Sequence, residues 1–147
     1  MGGMKDSAVI AVPSNPKYLS LIRAVTATMG EIYGMAGPVI EDVKLAVDEA
    51  CSNVMKYAYR GDTSKRIIIR FVLKKGFEVI IEDNGIKAQP ELIEGRSLSD
   101  VRPGGLGIHL IKRAFDVFAF DEKKKRGNRL RLIRHRGESD EDRDSRQ

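Results

Sequence analysis

At 147 residues and a formal charge of +5, the chain has the length of one domain. No apolar run approaches the roughly 20 residues of a membrane-spanning helix, and residues 1–6 lack the basic-then-apolar layout of a secretory signal, so a cytoplasmic protein is expected. A single cysteine, Cys51, with only two histidines excludes an intrachain disulfide and a structural zinc site. A bound metal would need oxygen ligands.

The charge is uneven. Residues 137–147 carry five acidic side chains against Arg143 and Arg146, which leaves +8 on the rest. The division expected is a folded domain over 1–136 and a charged, disordered tail over 137–147, too poor in apolar residues to offset its ordering entropy. Much of the positive charge sits in Lys123, Lys124, Lys125, Arg126, Arg129, Arg131, Arg134 and Arg136. Such a run fits nucleic acid, but no aromatic residues interleave with it as base-stacking platforms would require. It reads more simply as a solvated turn and the outward face of a last strand, so no direct nucleic-acid contact is expected.

In chain order, residues 8–12 predict a short strand stopped by Pro13. Ser14, Asn15 and Pro16 open a helix, with proline where its missing N–H costs nothing. That helix carries Tyr18, Leu19, Ile22, Val25 and Met29 on one face and ends near Gly34. Gly37 and Pro38 precede a second, longer helix to about Tyr59, its core face Val43, Val47, Ala50, Val54 and Ala58 at helical spacing. A turn at 61–64 leads to two β-branched runs, 67–73 and 77–81, around Lys74, Lys75 and Gly76, the pattern of a hairpin. Residues 84–105 are polar and irregular, rich in glycine and proline, and long enough to be a functional lid. Helical spacing returns over 106–115, and strands follow at 117–121 and 129–133. The order β-α-α-β-β-lid-α-β-β predicts an α+β fold, a two-layer α/β sandwich with helices on one face of a mostly antiparallel mixed sheet.

Three clusters could carry chemistry. Glu49 and Asn53 lie four apart on the second helix, one turn above the other. A carboxylate and an amide oxygen so placed suit magnesium, which prefers oxygen and keeps several waters, although the same pair also fits a solvated helix face. Asp83, Asn84 and Gly85 end an apolar strand. There a carboxylate can accept from an exocyclic amine, and glycine allows close backbone approach, although an ordinary Asp-Asn-Gly turn fits as well. Gly104, Gly105, Leu106 and Gly107 run into the third helix and offer N–H groups to a phosphate, or are simply a glycine-rich helix start. No Gly-Lys-Ser or Gly-Lys-Thr follows, so this is not a Walker loop. Its position also rules out a dinucleotide fingerprint. His109 and Cys51 read as packing residues.

The succession of helical Glu-x-x-x-Asn, strand-Asp-x-Gly, long lid and Gly-x-Gly before a helix resembles the GHKL ATPases. Within that group the chain is most similar to the bacterial anti-sigma factor serine kinases. The stretches that carry the likeness are 14–23, 44–53 and 104–108, and it spans about 8–134. The resemblance implies that ATP and Mg2+ are bound. It makes Glu49 the general base, Asn53 the magnesium ligand, Asp83 the reader of the adenine amine and Gly85 the close approach to the base. Gly104, Gly105, Leu106 and Gly107 fall in the phosphate-binding turn of the lid. Lys56 matches a phosphate-side lysine more typical of histidine kinases, a branch that usually carries asparagine where Glu49 stands. Tyr57 replaces a frequent histidine, and Lys87 stands where a second glycine is usual. Asn128 follows Gly127 where threonine is common, implying a weaker, water-mediated adenine contact.

The activity so implied is that of a serine/threonine protein kinase and anti-sigma factor. It would phosphorylate a serine on an anti-sigma factor antagonist, a STAS-type domain, and sequester a sigma factor. A homodimer is compatible with it. The alternative is a catalytically inactive, ATP-gated protein-binding module.

Overall fold

The structure, a computed structural model, describes residues 6–88 and 107–136. The expected lid beyond Ala88, with Gly104, Gly105 and Leu106, and the tail 137–147 lie outside the described residues. Strand β1 is Asp6–Pro13. Asn15 then caps a 3-10 turn, Pro16–Tyr18, by accepting from the Lys17 amide. Helix α1, Leu19–Tyr33, follows directly and stops at Gly34, whose φ of 96° is a left-handed cap open to glycine. Helix α2 is Gly37–Asn53, with proline in its first turn. It continues as a π turn, Val54–Ala58, so the helix expected to run unbroken to Tyr59 widens just after Asn53. Strands β2 (Arg66–Leu73) and β3 (Gly76–Asp83) form the expected hairpin. Helix α3, Gly107–Ala114, and strands β4 (Val117–Phe120) and β5 (Asn128–His135) complete the described chain.

The strand order is β1-β2-β3-β5-β4, antiparallel at every pairing. The parallel component of a mixed sheet is therefore absent among the described strands. Strands β3 and β4, joined through α3, do run the same way, but β5 inserts between them and opposes both.

Period-2 alternation divides the sheet into two faces. Ile67, Ile69, Phe71, Phe77, Val79, Ile81, Leu130 and Leu132 are buried under the helices. The opposite face carries cross-strand ion pairs, Arg131–Glu78 at 2.8 Å and Arg129–Glu82 at 3.1 Å. On the helical side, Ile22 and Met29 of α1 and Val43, Val47 and Ala50 of α2 are buried as their spacing predicts, whereas Val54 is half-buried and Met55 takes a core position. Gly30 lets the two helices close up, because a methyl there would lie 3.0 Å from Ile40 Cγ1.

Candidate functional site: an acid corner beside a helix face

The alternation that buries Phe77, Val79 and Ile81 also carries Asp83, the last residue of β3, to the helical side of the sheet, where it is 3% exposed. Its register partner on β5 is Asn128, likewise buried. Asp83 Oδ1 accepts from the Gly85 amide at 2.8 Å. Asn128 Nδ2 donates to Asp83 Oδ1 at 3.0 Å, to Oδ2 at 3.2 Å and to the Ile86 carbonyl at 2.9 Å. Asn128 Oδ1 accepts from the Ala88 amide at 2.7 Å. Burial pushes the Asp83 carboxyl above its usual range, and the Gly85 and Asn128 donors pull it back.

Three further contacts pin the strand end to the helix end. The π turn leaves the Ala58 carbonyl to accept from Ile86 N at 2.8 Å. The Tyr59 hydroxyl accepts from Asn84 N at 2.8 Å and donates to the Arg66 carbonyl at 2.7 Å. Gly85 packs so tightly that a methyl would lie 2.3 Å from the Ala58 oxygen. The close approach read at Gly85 is thus first of all to the protein's own backbone. Together these bonds place residues 84–88 within the fixed site and not within the expected lid.

On α2, Glu49 and Asn53 share a face one turn apart, both partly buried. Among the described residues, Glu49 Oε1 and Asn53 Oδ1 are buried oxygens without a hydrogen-bond partner. Burial pushes the Glu49 carboxyl above its usual range, Lys56 in the π turn counters this, and Asp48 adds to it. Lys56 itself is exposed. Two orphaned oxygens beside a lysine fit a magnesium–phosphate group. No cluster of three or more His, Cys, Asp or Glu among the described residues could hold a metal by itself, so phosphate oxygens and water would complete the shell. Gly107 opens α3, and the side of that helix nearest its C-terminus is tied to α2 by the Arg113–Asp42 pair at 3.3 Å.

Cys51 is wholly buried, and burial pushes its thiol up, as a packing residue requires. His109 is exposed on α3 and is not a packing residue: Ile108 and Ile111 take the inward positions and leave it on the outer face. The basic run is largely engaged. Arg129 pairs with Glu82 and Asp121, Arg131 with Glu78, and Arg136 stacks on the Tyr33 ring at 4.6 Å. Arg134 departs from the outward face expected for it, being buried with its guanidinium donating to the Ala114 carbonyl at the end of α3. Tyr59 and Gly127 complete the corner although no sequence motif marks them for the site. Gly127 has a φ of 66°, and a methyl there would lie 2.0 Å from the Asp83 carbonyl oxygen. A glycine before a buried strand-start amide was the available signal for it, whereas nothing local marks the Tyr59 hydroxyl. Among the described residues no helix is long and apolar enough to cross a membrane.

Known proteins share this architecture. The family model of the histidine kinase-like ATPase domain matches residues 12–134. Serine-protein kinase RsbW of Bacillus subtilis is 32% identical, the match covering 76% of this chain and 75% of that one. The RsbW of Listeria monocytogenes is 30% identical over 79% of this chain and 80% of its own length. Two solved structures agree in fold. One comprises the RsbU and RsbW domains of a Mycobacterium tuberculosis protein, with TM-score 0.62 at 13% identity over 88% of this chain and 31% of that one. The other is the histidine kinase domain of a blue-light activated kinase from Erythrobacter litoralis, with TM-score 0.55 at 14% identity over 95% and 68%. With its buried Asp83 at the sheet end and its Glu-x-x-x-Asn helix inside the matched span, the chain belongs to the histidine kinase-like ATPase family and, within it, to the family of these serine-protein kinases.

Proposed function

We propose that the chain is an ATP-dependent serine/threonine protein kinase acting in the cytoplasm as an anti-sigma factor. It phosphorylates a serine on an anti-sigma factor antagonist of the STAS type and sequesters a sigma factor. The observation that carries this reading is the pair of unpartnered buried oxygens, Glu49 Oε1 and Asn53 Oδ1, on one face of α2. A buried polar atom without a partner costs about 1–3 kcal/mol, and such a cost is retained where a ligand satisfies it.

The roles follow from the chemistry. Asp83, as an acceptor at the sheet end, takes a hydrogen bond from the adenine amine. Asn53, with the lysine at 56 beside it, faces the phosphates. Magnesium, when held by Asn53 and the phosphates, supplies charge neutralisation. Gly104, Gly105, Leu106 and Gly107 would add backbone donors there. Glu49 accepts the proton of the serine hydroxyl as its oxygen bonds to the γ-phosphorus and the bond from that phosphorus to the bridging oxygen breaks. ADP and phosphoserine result. Phosphoryl transfer asks the protein for little beyond positioning and charge, and a carboxyl raised by burial is a better base than an ordinary one.

The test is incubation with γ-labelled ATP, magnesium and candidate antagonist domains encoded nearby, each also with its serine replaced by alanine. Label on the serine-bearing domain alone is the expected result. A chain that labels no antagonist yet binds a sigma factor when ATP is present would instead be a catalytically inactive, ATP-gated binding module.

A further inference from the structure

A carboxamide has two N–H donors and one acceptor oxygen, and in Asn128 all of them are engaged. One donor is shared between the two oxygens of Asp83, the other is on the Ile86 carbonyl, and the oxygen holds the Ala88 amide. No side-chain donor remains for a purine, so the two donors of Asn128 bear on a base through Asp83 and the 84–88 segment. The carboxylate is consequently asymmetric. Oδ1 takes the Gly85 amide and the shorter bond from the Asn128 side chain, Oδ2 takes the longer one at 3.2 Å, and the Asn128 backbone amide also donates to this carboxylate.

We propose that Asn128 is a positioning residue for base recognition, its carboxamide clasping Asp83 to the 84–88 segment so that the acceptor site left on the carboxylate faces the exocyclic amine. The proposal rests on the ATP reading above. The fold is built around the clasp. Asn128 is the register partner of Asp83, both are buried, and glycine at 127 is what allows the preceding turn to lie against the Asp83 backbone. A hydroxyl in place of the amide, with one donor on a shorter arm, could serve Asp83 but not Ile86 and Ala88 as well.

The experiment uses the full chain with Asn128→Thr and, as a second variant, Asn128→Asp. Amide hydrogen exchange is followed at Ala88 without nucleotide, with Val79 and Leu132 as reporters of intact folding. ATP and GTP affinities are then measured with magnesium. For Asn128→Thr, exchange at Ala88 should rise about tenfold and the preference for ATP over GTP fall about tenfold, the scale of one hydrogen bond to a charged group. In Asn128→Asp, two carboxylates become register partners and share a proton, so ATP affinity should fall as pH rises from about 5 to 8, unlike the wild type. A lesion that only destabilises the sheet would move neither the ATP-to-GTP ratio nor the pH profile. Unchanged Ala88 exchange, or an ATP-to-GTP ratio equal to wild type in both variants, overturns the clasp alone. A wild-type chain that binds neither nucleotide overturns the ATP reading and the clasp together.

Discussion

The two halves of the site treat buried polar groups in opposite ways. At the sheet end, Asp83 and Asn128 lie deep in the protein and are hydrogen-bonded to each other, to Gly85, to Ile86 and to Ala88. On α2, Glu49 and Asn53 are less buried, yet each keeps an oxygen with no partner among the described residues. A densely bonded network is rigid and suits discrimination between bases, because a group that cannot move cannot adapt to the wrong one. An unsatisfied pair is raised in free energy until something binds it, which suits the place where cation, phosphate and attacking hydroxyl meet. On the proposed function, the difference is that between a region that recognises and a region that reacts.

The largest effect should come from the reactive half. Glu49→Gln keeps shape and hydrogen-bonding capacity but removes basicity, so serine phosphorylation should fall about a hundredfold to ten-thousandfold while ATP affinity stays near wild type. Single-turnover transfer beside equilibrium ATP binding checks this. Transfer at the wild-type rate would remove Glu49 from the role of base.

In the densely bonded half, Gly127→Ala should be the most damaging substitution. It puts a side chain at a φ of 66° and a methyl 2.0 Å from the Asp83 carbonyl oxygen. Backbone must move, at a cost of roughly 2–4 kcal/mol, measurable as a lower urea midpoint with unchanged slope. A midpoint equal to wild type would show that this corner is softer than its bond pattern indicates.

Asp83→Asn should weaken ATP binding by about 1–3 kcal/mol by exchanging a charged acceptor for an amide. Preference for ATP over GTP should narrow with it, and calorimetry with both nucleotides is the check. Because burial raises the Asp83 carboxyl, wild-type ATP affinity should also decline on acidification sooner than for an ordinary aspartate. Equal affinity for the two nucleotides in the wild type would remove the recognising role from this corner.

The smallest effect concerns stability. The Glu49 carboxyl is raised in the fold, so the folded chain holds that proton more tightly than the unfolded one. Its ionisation therefore lowers stability as pH rises from the unfolded pKa through the folded one. Glu49→Gln should be slightly more stable than wild type near pH 7, with the gap closing below about pH 4, where both states are protonated. Denaturant midpoints across that range measure it. A variant less stable than wild type at neutral pH would mean that Glu49 is satisfied in solution and that the contrast between the two halves is overstated.

Much of the fold was legible because helical and strand periodicities are local. The spacing from Val43 to Ala50, the alternation from Phe77 to Ile81 and the glycine stop at Gly34 each depend on residues a few positions apart. The α+β order, the hairpin and the Glu49–Asn53 face followed from such patterns. Tertiary structure alone decided what those residues meet. Asp83 and Asn128 are 45 positions apart, the Tyr59 hydroxyl reaches Asn84 across 25, and Ala58 is joined to Ile86 only when helix and sheet close on each other. The outward His109, the inward Arg134 and the β5 strand that separates β3 from β4 were set in the same way. A side chain's neighbours across the core are chosen by packing, which periodicity constrains only to a face.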